Sequence, residues 1–345
     1  MKAKYPKISI IILNWNQWLE TVKCLETILK NRYPNFNCII VDNGSNDNSE
    51  RNIKHWLEQQ ENIIAYDPPS GRQKSDHSKH FAKNESGIYE CVSTHGSQLS
   101  TKVILLQTGF NSGYSGGNNA GIGRALEEGC DYALILNNDI TVMHDFIQKM
   151  VKAALDSDAS VVGSLVRDAS SKNVLFSGSN LIKALFGFPT KPQYTSKYWW
   201  KTDCVQGCAM MLRRDLLRQR QKCMSYFLDS SLFLYHEEIE LALWCNKRGI
   251  RSVIAGNAEV FHKPGTSSFG KGYPLQFYYL TRNLLLIGRR YFHSSKFLLY
   301  FLLFVPFRLF RVGLYFLSGK KKIAYSILSG LSDGCKNIMG PKRTP

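Results

Sequence analysis

The sequence predicts an α/β protein with a mostly parallel central sheet flanked by helices, because strand-like and helix-like segments alternate along the chain. The apolar run "ISIIIL" at 8–13 predicts a first strand. Residues 17–31, "QWLETVKCLETILKN", carry apolar side chains at a helical period, and "NFNCIIVD" at 35–42 predicts a second strand. Helices that connect successive strands in this way lie on the faces of a mostly parallel sheet.

The remaining elements continue this alternation as far as residue 263. Further helices are predicted at 49–60, 116–129, 144–156, the second half of 205–219 and within 231–249. Further strands are predicted at 62–67, 102–108, 132–139, 160–168, the first half of 205–219 and, as a pair, within 250–263. The periodicity fails at 67–102, apart from "GIYECV", so we interpret this segment as an insertion. Residues 170–201 are expected to be rich in loops.

Positive charge is concentrated late in the sequence. The 345 residues carry a formal net charge of +17, and 44% of them are hydrophobic, which is typical of a globular protein. Thirteen lysines and arginines but only one acid, Asp333, follow residue 270. We therefore predict one folded domain at 1–265 and a basic, apolar helical region at 266–345 that meets an anionic partner, either nucleic acid or a lipid surface.

The cysteines and the first residues favour a protein that stays in the cytosol. Nine cysteines are scattered without a CxxC pair, as expected for reduced thiols. The start "MKAKYPKISIIILNW" resembles a signal peptide, but its apolar run is short and is followed by polar residues instead of a cleavage site. We interpret it as the first strand.

Polar clusters close several of the predicted strands. They are "LNWN" (13–16), "VDNGSND" (41–47), "FNSGYSGGNN" (110–119) and "LNND" (136–139). Each alone is compatible with an ordinary turn, since Asn, Asp and Gly favour turns. The carboxyl ends of parallel strands meet at one edge, so four such clusters predict a shared polar crevice. "GYSGGNNAGIG" lacks the GxGxxG order and no P-loop motif occurs, which argues against those two nucleotide-binding types.

The chain resembles the family 2 glycosyltransferases of the GT-A fold, nearest to the rhamnosyltransferase-like branch of bacterial surface polysaccharide synthesis. The resemblance spans nearly the whole chain in the family's order. It rests on "IIILNWN", "IIVDNGSNDNS", "NSGYSGGNNAGI", "LILNNDI", "VQGCAMMLRR", "FLYHEEIELALW", "VFHKPGTSS", "YYLTRNLLLIGRRYF" and "ILSGLSDG". It implies transfer of a sugar from a nucleotide-diphosphate donor, dTDP-rhamnose or a UDP-sugar, to a glycan carried by polyprenyl diphosphate.

The resemblance also assigns donor and metal residues. Asp42 would hydrogen-bond the nucleoside, and Asp139, the last acid of the family's metal motif, would bind Mg²⁺ or Mn²⁺ beside the donor diphosphate. His262 matches a family histidine near the diphosphate, whereas Asn137 stands where many relatives carry an acid. Mg²⁺ often takes only one or two protein carboxylates, so a single Asp is sufficient. The implied donor contacts are Asn14, Asn16, Asp42, Gly113, Asn118, Asn138, Gln206 and Arg282.

The segment "YHEEIELALW" supplies the implied general base. Relatives usually carry Glu-Asp here, and Glu238 falls on the position of the Asp that deprotonates the acceptor. Glu237 stays an alternative base, and Glu240 is expected to orient its neighbour. From the residues alone, acids at the start of a helix need no catalytic role. A single attack with one base and no enzyme nucleophile predicts inversion at the anomeric carbon.

The apolar segment 296–317 predicts helices that lie in the membrane interface. Pro306 is expected to interrupt a spanning helix, and Arg308 and Arg311 oppose burial in lipid. Neighbouring cations suit an anionic lipid surface, which places the protein peripherally at the cytoplasmic face of the plasma membrane. A helical pair packed against the catalytic domain is the alternative, and the two are compatible.

Two other classes of function remain open at this stage. The charge and the aromatic residues suit a nucleic-acid-binding protein or a nucleotidyltransferase, but the cations flank aliphatic runs, so no nucleic acid is expected. A non-catalytic membrane adaptor on the same fold is opposed by the presence of Asp42, Asp139 and the glutamate pair. The sequence leaves the oligomeric state and the role of the insertion open.

Overall fold

The computed structural model describes residues 5–60, 63–65, 88–95, 99–186, 197–263 and 273–342. For 63–65, 88–95 and 99–100 it describes the backbone alone. Of the predicted insertion 67–102, residues 67–87 and 96–98 lie outside the described residues.

The described residues form one twelve-stranded sheet, which confirms the predicted α/β class. The strands are β1 (Ile8–Asn14), β2 (Phe36–Asp42), β3 (Ile63–Ala65), β4 (Ile88–His95), β5 (Leu99–Gln107), β6 (Tyr132–Asn137), β7 (Ile140–Val142), β8 (Val161–Asp168), β9 (Val174–Phe176), β10 (Trp199–Lys201), β11 (Ala209–Arg213) and β12 (Ser252–His262). Their order is β10-β12-β8-β11-β6-β1-β2-β5-β4-β3, with β7 paired to β12 and β9 paired to β8.

Six strands run in the same direction and form the parallel part of the sheet. β5, β2, β1 and β6 pair in parallel, and so do β8 and β12. β11 is inserted antiparallel between β6 and β8, which gives these two the same direction. The carboxyl ends of all six therefore reach one edge of the sheet, where ligands bind in open α/β folds. The other strands pair antiparallel, so the sheet as a whole is mixed.

Helices cover both faces of the sheet. They are α1 (Trp18–Leu29), α2 (Ser49–Gln59), α3 (Gly113–Glu127), α4 (Phe146–Ser157), α5 (Leu181–Phe186), α6 (Arg214–Met224), α7 (Glu237–Asn246), α8 (Pro274–Tyr291), α9 (Ser294–Leu317) and α10 (Lys321–Cys335). Successive residues of β1 alternate between two apolar layers, with Ile10 and Ile12 in one and Ile11 in the other. The layer around Ile11 also contains buried residues of α8, α9 and α10. The predicted tail therefore shares a core with the sheet.

Two expectations about local structure are wrong. β12 is one continuous strand instead of a pair, and only its register against β8 shifts, between Ala255 and Glu259. A Cβ at Gly256 would lie 2.1 Å from the Trp200 ring, so this glycine makes room for β10. Pro306 does not interrupt α9, because a proline removes only one intrahelical hydrogen bond while the opposite face of this helix is packed.

Candidate active site

Asn14 and Asp42 form one corner of a cleft at the carboxyl ends of β1 and β2. The two residues are in register, and Asn14 Nδ2 donates to Asp42 Oδ1 over 2.8 Å. Both side chains are buried, and the Ser45 hydroxyl donates to the same carboxylate oxygen. An ionised carboxylate accepts through both of its oxygens. The corner can therefore bind an N–H or O–H group of a ligand.

Hydrogen bonds connect this corner to the end of β6. Thr21 donates to Asn14 Oδ1 over 2.8 Å, and Asn138 Nδ2 donates to the Thr21 hydroxyl over 3.0 Å. Asn16 orders the turn after β2, because its Oδ1 accepts the backbone N–H of Asn46. The predicted residues Asn14, Asn16, Asp42 and Asn138 thus lie in one network across three strand ends.

Asp139 and His262 form a second corner, next to the first. Asp139 lies between β6 and β7, and β7 pairs antiparallel with the end of β12 so that Ile140 faces His262. This pairing brings Asp139 Oδ2 to 3.2 Å from His262 Nε2. The carboxylate is almost fully buried, whereas the imidazole is partly exposed.

The Asp139–His262 pair suits a small divalent cation. Two ligands bound at a right angle about 2.1 Å from one ion lie about 3 Å apart, which matches the spacing of the pair. Within the described part of the chain, no group of three or more His, Cys, Asp and Glu side chains could hold a metal ion. The remaining ligands would come from the substrate and from water, as is usual for Mg²⁺.

Glu237 and Glu238 begin α7, as the sequence predicted. Glu237 is buried and, among the described residues, its Oε2 has no hydrogen-bond partner. Burial raises the pKa of the partly exposed Glu238 carboxyl to about 7, although backbone hydrogen bonds oppose the shift. Burial and the neighbouring charge of Glu238 raise the pKa of Glu237 well above its ordinary value. A carboxylate with a pKa near 7 is suited to general-base catalysis at neutral pH.

Tyr114 and Cys208 are buried groups that lie near the predicted acids. Burial, and after it the negative charges of Glu237, Glu238 and Asp139, raises the pKa of the Tyr114 hydroxyl. Burial, and after it Asp139 and Glu238, raises the pKa of the Cys208 thiol. Both groups lie within electrostatic range of the metal corner and of the glutamates. The predicted metal ligand and the predicted bases are thus brought together.

Gln206 lies next to this buried pair, in the turn that leads to β11. The Tyr114 hydroxyl donates to the backbone oxygen of the adjacent Gly207 over 2.7 Å. Gln206 Oε1 is buried and has no hydrogen-bond partner within the described residues. Because buried polar atoms are normally hydrogen-bonded, this oxygen is available to a sugar hydroxyl.

Three residues expected to contact the donor are fully buried, and Asn14, described above, is one of them. Asn118 lies inside α3 and donates to the Tyr114 backbone oxygen over 2.9 Å. Arg282 lies inside α8 and donates from Nη2 to the Leu232 backbone oxygen over 2.8 Å. Neither side chain reaches the surface of the cleft, so the expectation that they bind the donor is wrong. Their charge and polarity serve internal hydrogen bonds instead.

Gly113 and Glu240 also have structural contacts. Gly113 has a φ of +76°, and a Cβ there would lie 2.3 Å from the Phe233 backbone oxygen, so α3 closely approaches the loop before α7. Its contact with the donor stays a prediction. Glu240 does not orient the other two glutamates. It is fully buried, pairs with Arg220 over 2.6 Å and accepts the Tyr291 hydroxyl.

Sequence reasoning missed three residues of the cleft. Asn43 Oδ1 accepts the backbone N–H of Ser112, and its Nδ2 donates to the Gly113 backbone oxygen over 3.0 Å. Asn43 directly follows Asp42 in "VDNGSND", so the motif could have predicted that Asn43 lies in the cleft. Thr21 and Tyr114 lie on helices, where periodicity shows only which face is buried.

Comparisons with known proteins agree with this geometry. The model of the family "Glycosyl transferase family 2" matches residues 9–87 and 88–219, which is more than half of the chain. Over 253 residues the chain is 26% identical to the dTDP-rhamnosyl transferase RfbF of Shigella flexneri, covering 70% of this chain and 81% of that protein. Over 200 residues it is 24% identical to the low-salt glycan biosynthesis hexosyltransferase Agl10 of Haloferax volcanii. That second match covers 53% of this chain and only 60% of Agl10.

Two solved structures share the fold. The mannosyltransferase PcManGT of Pyrobaculum calidifontis, in complex with GDP-Man and Mn²⁺, is 12% identical with a TM-score of 0.55, covering 97% of this chain and 88% of that one. S. aureus TarS 1-349, in complex with UDP-GlcNAc, is 12% identical with a TM-score of 0.54, covering 96% and 81%. They confirm the predicted GT-A fold. The chain belongs to glycosyl transferase family 2.

Proposed function

We propose that the protein transfers a sugar from a nucleotide-diphosphate donor to an acceptor hydroxyl, with inversion at the anomeric carbon. The proposal rests on the segment 204–208, which contacts both parts of the site: its Cys208 backbone oxygen accepts the Asn137 N–H near Asp139, and its Cys204 thiol lies 3.7 Å from the Glu238 backbone oxygen. The Asn14–Asp42 corner lies at the same sheet edge. Membership of a transferase family supports this function.

The acceptor would be activated by Glu238. Its carboxylate takes the proton of the acceptor hydroxyl, the acceptor oxygen forms a bond to the anomeric carbon, and the bond from that carbon to the diphosphate oxygen breaks. The bonding electrons leave with the nucleoside diphosphate. Glu237 is the alternative base, because its buried Oε2 has no hydrogen-bond partner among the described residues.

The donor would lie across the two corners. Asp42, oriented by the buried Asn14, would bind the nucleoside, and Asp139 and His262 would hold Mg²⁺ or Mn²⁺ near the diphosphate. A divalent ion there neutralises the charge that develops on the leaving oxygen. We propose dTDP-rhamnose or a UDP-sugar as the donor. RfbF is named as a dTDP-rhamnosyl transferase, which supports the first choice.

The acceptor is proposed to be a saccharide carried by polyprenyl diphosphate in cell-surface polysaccharide synthesis, at the cytoplasmic face of the plasma membrane. The outer face of α9 supports a membrane location, because it exposes a continuous row of apolar side chains. They are Leu298, Leu299, Leu302, Leu303, Leu309, Phe310, Leu314 and Leu317. Three exposed lysines, 320–322, follow the helix.

We propose that α9 lies along the membrane interface. It is long and apolar enough to cross a membrane by length and composition alone. Its opposite stripe, which includes Tyr300, Phe304 and Arg308, is packed inside the protein. A helix with one packed stripe and one apolar face bordered by cations suits the interface of an anionic membrane.

A donor screen tests the proposed function. The protein is incubated with Mn²⁺, a prenyl-diphosphate saccharide and, in turn, dTDP-rhamnose, UDP-sugars and GDP-mannose. Release of the nucleoside diphosphate is measured, and NMR determines the anomeric configuration of the product. We expect release with one nucleotide class and inversion. Absence of release with every donor, or retention of configuration, would contradict the proposal, and the Asp139→Asn variant gives the background rate.

A further inference from the structure

The loop that precedes the two glutamates has an unfavourable backbone conformation. Phe233, Tyr235 and His236 have φ values of 65°, 67° and 73°, although none of them is glycine. Side chains disfavour this left-handed region, so such a loop persists only if its surroundings fix it. The loop ends directly at Glu237, and its conformation therefore determines where Glu237 and Glu238 lie.

α8 makes a dense set of contacts with this loop. Asn283 Nδ2 lies within hydrogen-bond distance of three acceptors, the backbone oxygens of Leu232 (3.1 Å), Leu234 (2.8 Å) and Tyr235 (2.8 Å). Arg282 Nη2 also donates to Leu232 O over 2.8 Å. These hydrogen bonds hold the loop through its backbone.

Arg282 orients the amide of Asn283. The guanidinium donates from Nε and Nη2 to Asn283 Oδ1 over 2.9 and 2.8 Å, which directs the NH₂ group towards the loop. A third nitrogen, Nη1, donates to the backbone oxygen of Gly340 over 2.5 Å. The Gly340 N–H in turn donates to Ser231 O over 2.7 Å. The segment after α10 therefore bonds both to Arg282 and to the residue that precedes the loop.

Other contacts join the same helix to the loop. The Phe233 ring stacks on Tyr279, with 5.6 Å between ring centroids. The His236 Nε2 lies 3.3 Å from the backbone oxygen of Leu280. Arg282 and Asn283 themselves are fully buried, so they cannot touch a substrate directly.

We propose that Arg282 and Asn283 are positioning residues, which hold the loop 232–236 so that the glutamate pair faces the acceptor. This inference rests on the proposed function. The donor corners lie on other elements, Asp42 at the end of β2 and Asp139 in the turn between β6 and β7. Loss of the hydrogen bonds from Arg282 and Asn283 to the loop should therefore impair catalysis and leave donor binding intact.

The decisive variant is Asn283→Asp. It keeps the size of the side chain and the acceptor for Arg282, but places oxygen where the loop carbonyls need a donor. We expect kcat to fall about 10–100-fold, as displaced catalytic groups cause, while donor KM and donor Kd stay within about twofold. Hydrogen exchange of the amides at 234–236 should accelerate. Thr281→Val is the matched control, because this neighbour is equally buried and, among the described residues, its hydroxyl has no partner.

A second variant keeps the test informative if Asn283→Asp does not fold. Arg282→Lys retains the charge but loses the paired Nε and Nη2 donors that hold Asn283 Oδ1. We expect the same selective fall in kcat. A folded variant with wild-type kcat and wild-type exchange would overturn the positioning role, and so would an equal loss of donor affinity. If the wild-type protein turns over no donor, the proposed function fails, whereas an active wild type with unaffected variants refutes only this inference.

Discussion

Asp139 Oδ2 and His262 Nε2 lie 3.2 Å apart, although 123 residues separate them in the chain. The antiparallel pairing of β7 with the end of β12 creates this proximity. A carboxylate and an imidazole at this spacing, beside a polar strand edge, define where a divalent ion would bind.

Asp139→Asn should lower kcat/KM by about 100-fold or more, because a carboxylate ligand that stabilises transition-state charge is lost. His262→Ala keeps the carboxylate and should raise the Mn²⁺ concentration for half-maximal activity by about tenfold or more. Steady-state kinetics over a metal titration measure both effects, and circular dichroism checks the fold. Wild-type turnover by Asp139→Asn, or full activity of the wild type in chelator, would rule out the metal assignment.

Glu238→Gln should lower kcat by about 10²–10⁴-fold, since the amide cannot accept the proton of the acceptor. Donor affinity, measured by calorimetry, should stay unchanged because the base acts on the acceptor. Asp42→Asn is the contrasting variant and should weaken donor binding by about 10–100-fold through loss of a charged hydrogen bond. An inactive Glu237→Gln together with an active Glu238→Gln would transfer the role of base to Glu237.

The rate should depend on pH with an acidic limb near pH 7. The pKa of Glu238 is raised to about 7, so the base form is lost as the pH falls below that value, and kcat/KM should drop about tenfold per unit at lower pH. Glu237, Tyr114, Cys204 and Cys208 are the titratable neighbours of this group. A profile that is flat between pH 5 and 8 would contradict this assignment.

The same shift affects stability in the opposite direction. The ordinary pKa of the carboxyl is 4.5, so between about 4.5 and 7 the folded state binds more protons than the unfolded state. The contribution of Glu238 to the free energy of unfolding therefore declines as the pH rises through this window. Glu238→Gln should reduce this part of the pH dependence in urea unfolding.

Substitution of the outer face of α9 should release the protein from anionic liposomes. Leu302→Gln, Leu303→Gln and Phe310→Gln remove exposed apolar area without touching the packed stripe. Co-sedimentation should show lost binding, and high salt should weaken wild-type binding only in part, because screening leaves apolar burial intact. Leu175→Gln with Ile182→Gln, exposed apolar residues elsewhere, is the matched control. Equal binding to neutral and anionic vesicles, or tighter binding to DNA, would contradict the proposed surface.

The residues at the strand ends could be predicted, because an apolar run and the polar residue that follows it both indicate where the strand ends. An apolar run such as 133–136 fixes a strand, and the polar side chain that follows must lie at its edge. Residues such as Arg282 could not be placed in this way. The family resemblance placed Arg282 at the donor, and only the folded chain shows that backbone oxygens from 232 and 340 surround it. The same applies to Glu240, whose partner Arg220 lies on another helix.

The contacts that hold the loop 232–236 have a consequence for the order in which parts of the site can form during translation. The loop 232–236 is translated before the residues that hold it, Arg282, Asn283 and Gly340. At about 5–20 residues per second, the ribosome needs about 5–20 s to travel from the loop to Gly340. During that interval the residues of the Asn14–Asp42 corner are already part of the nascent chain, whereas the left-handed loop still lacks the residues that hold it. The growing polypeptide would thus complete the support of its glutamate pair only when the final helices dock.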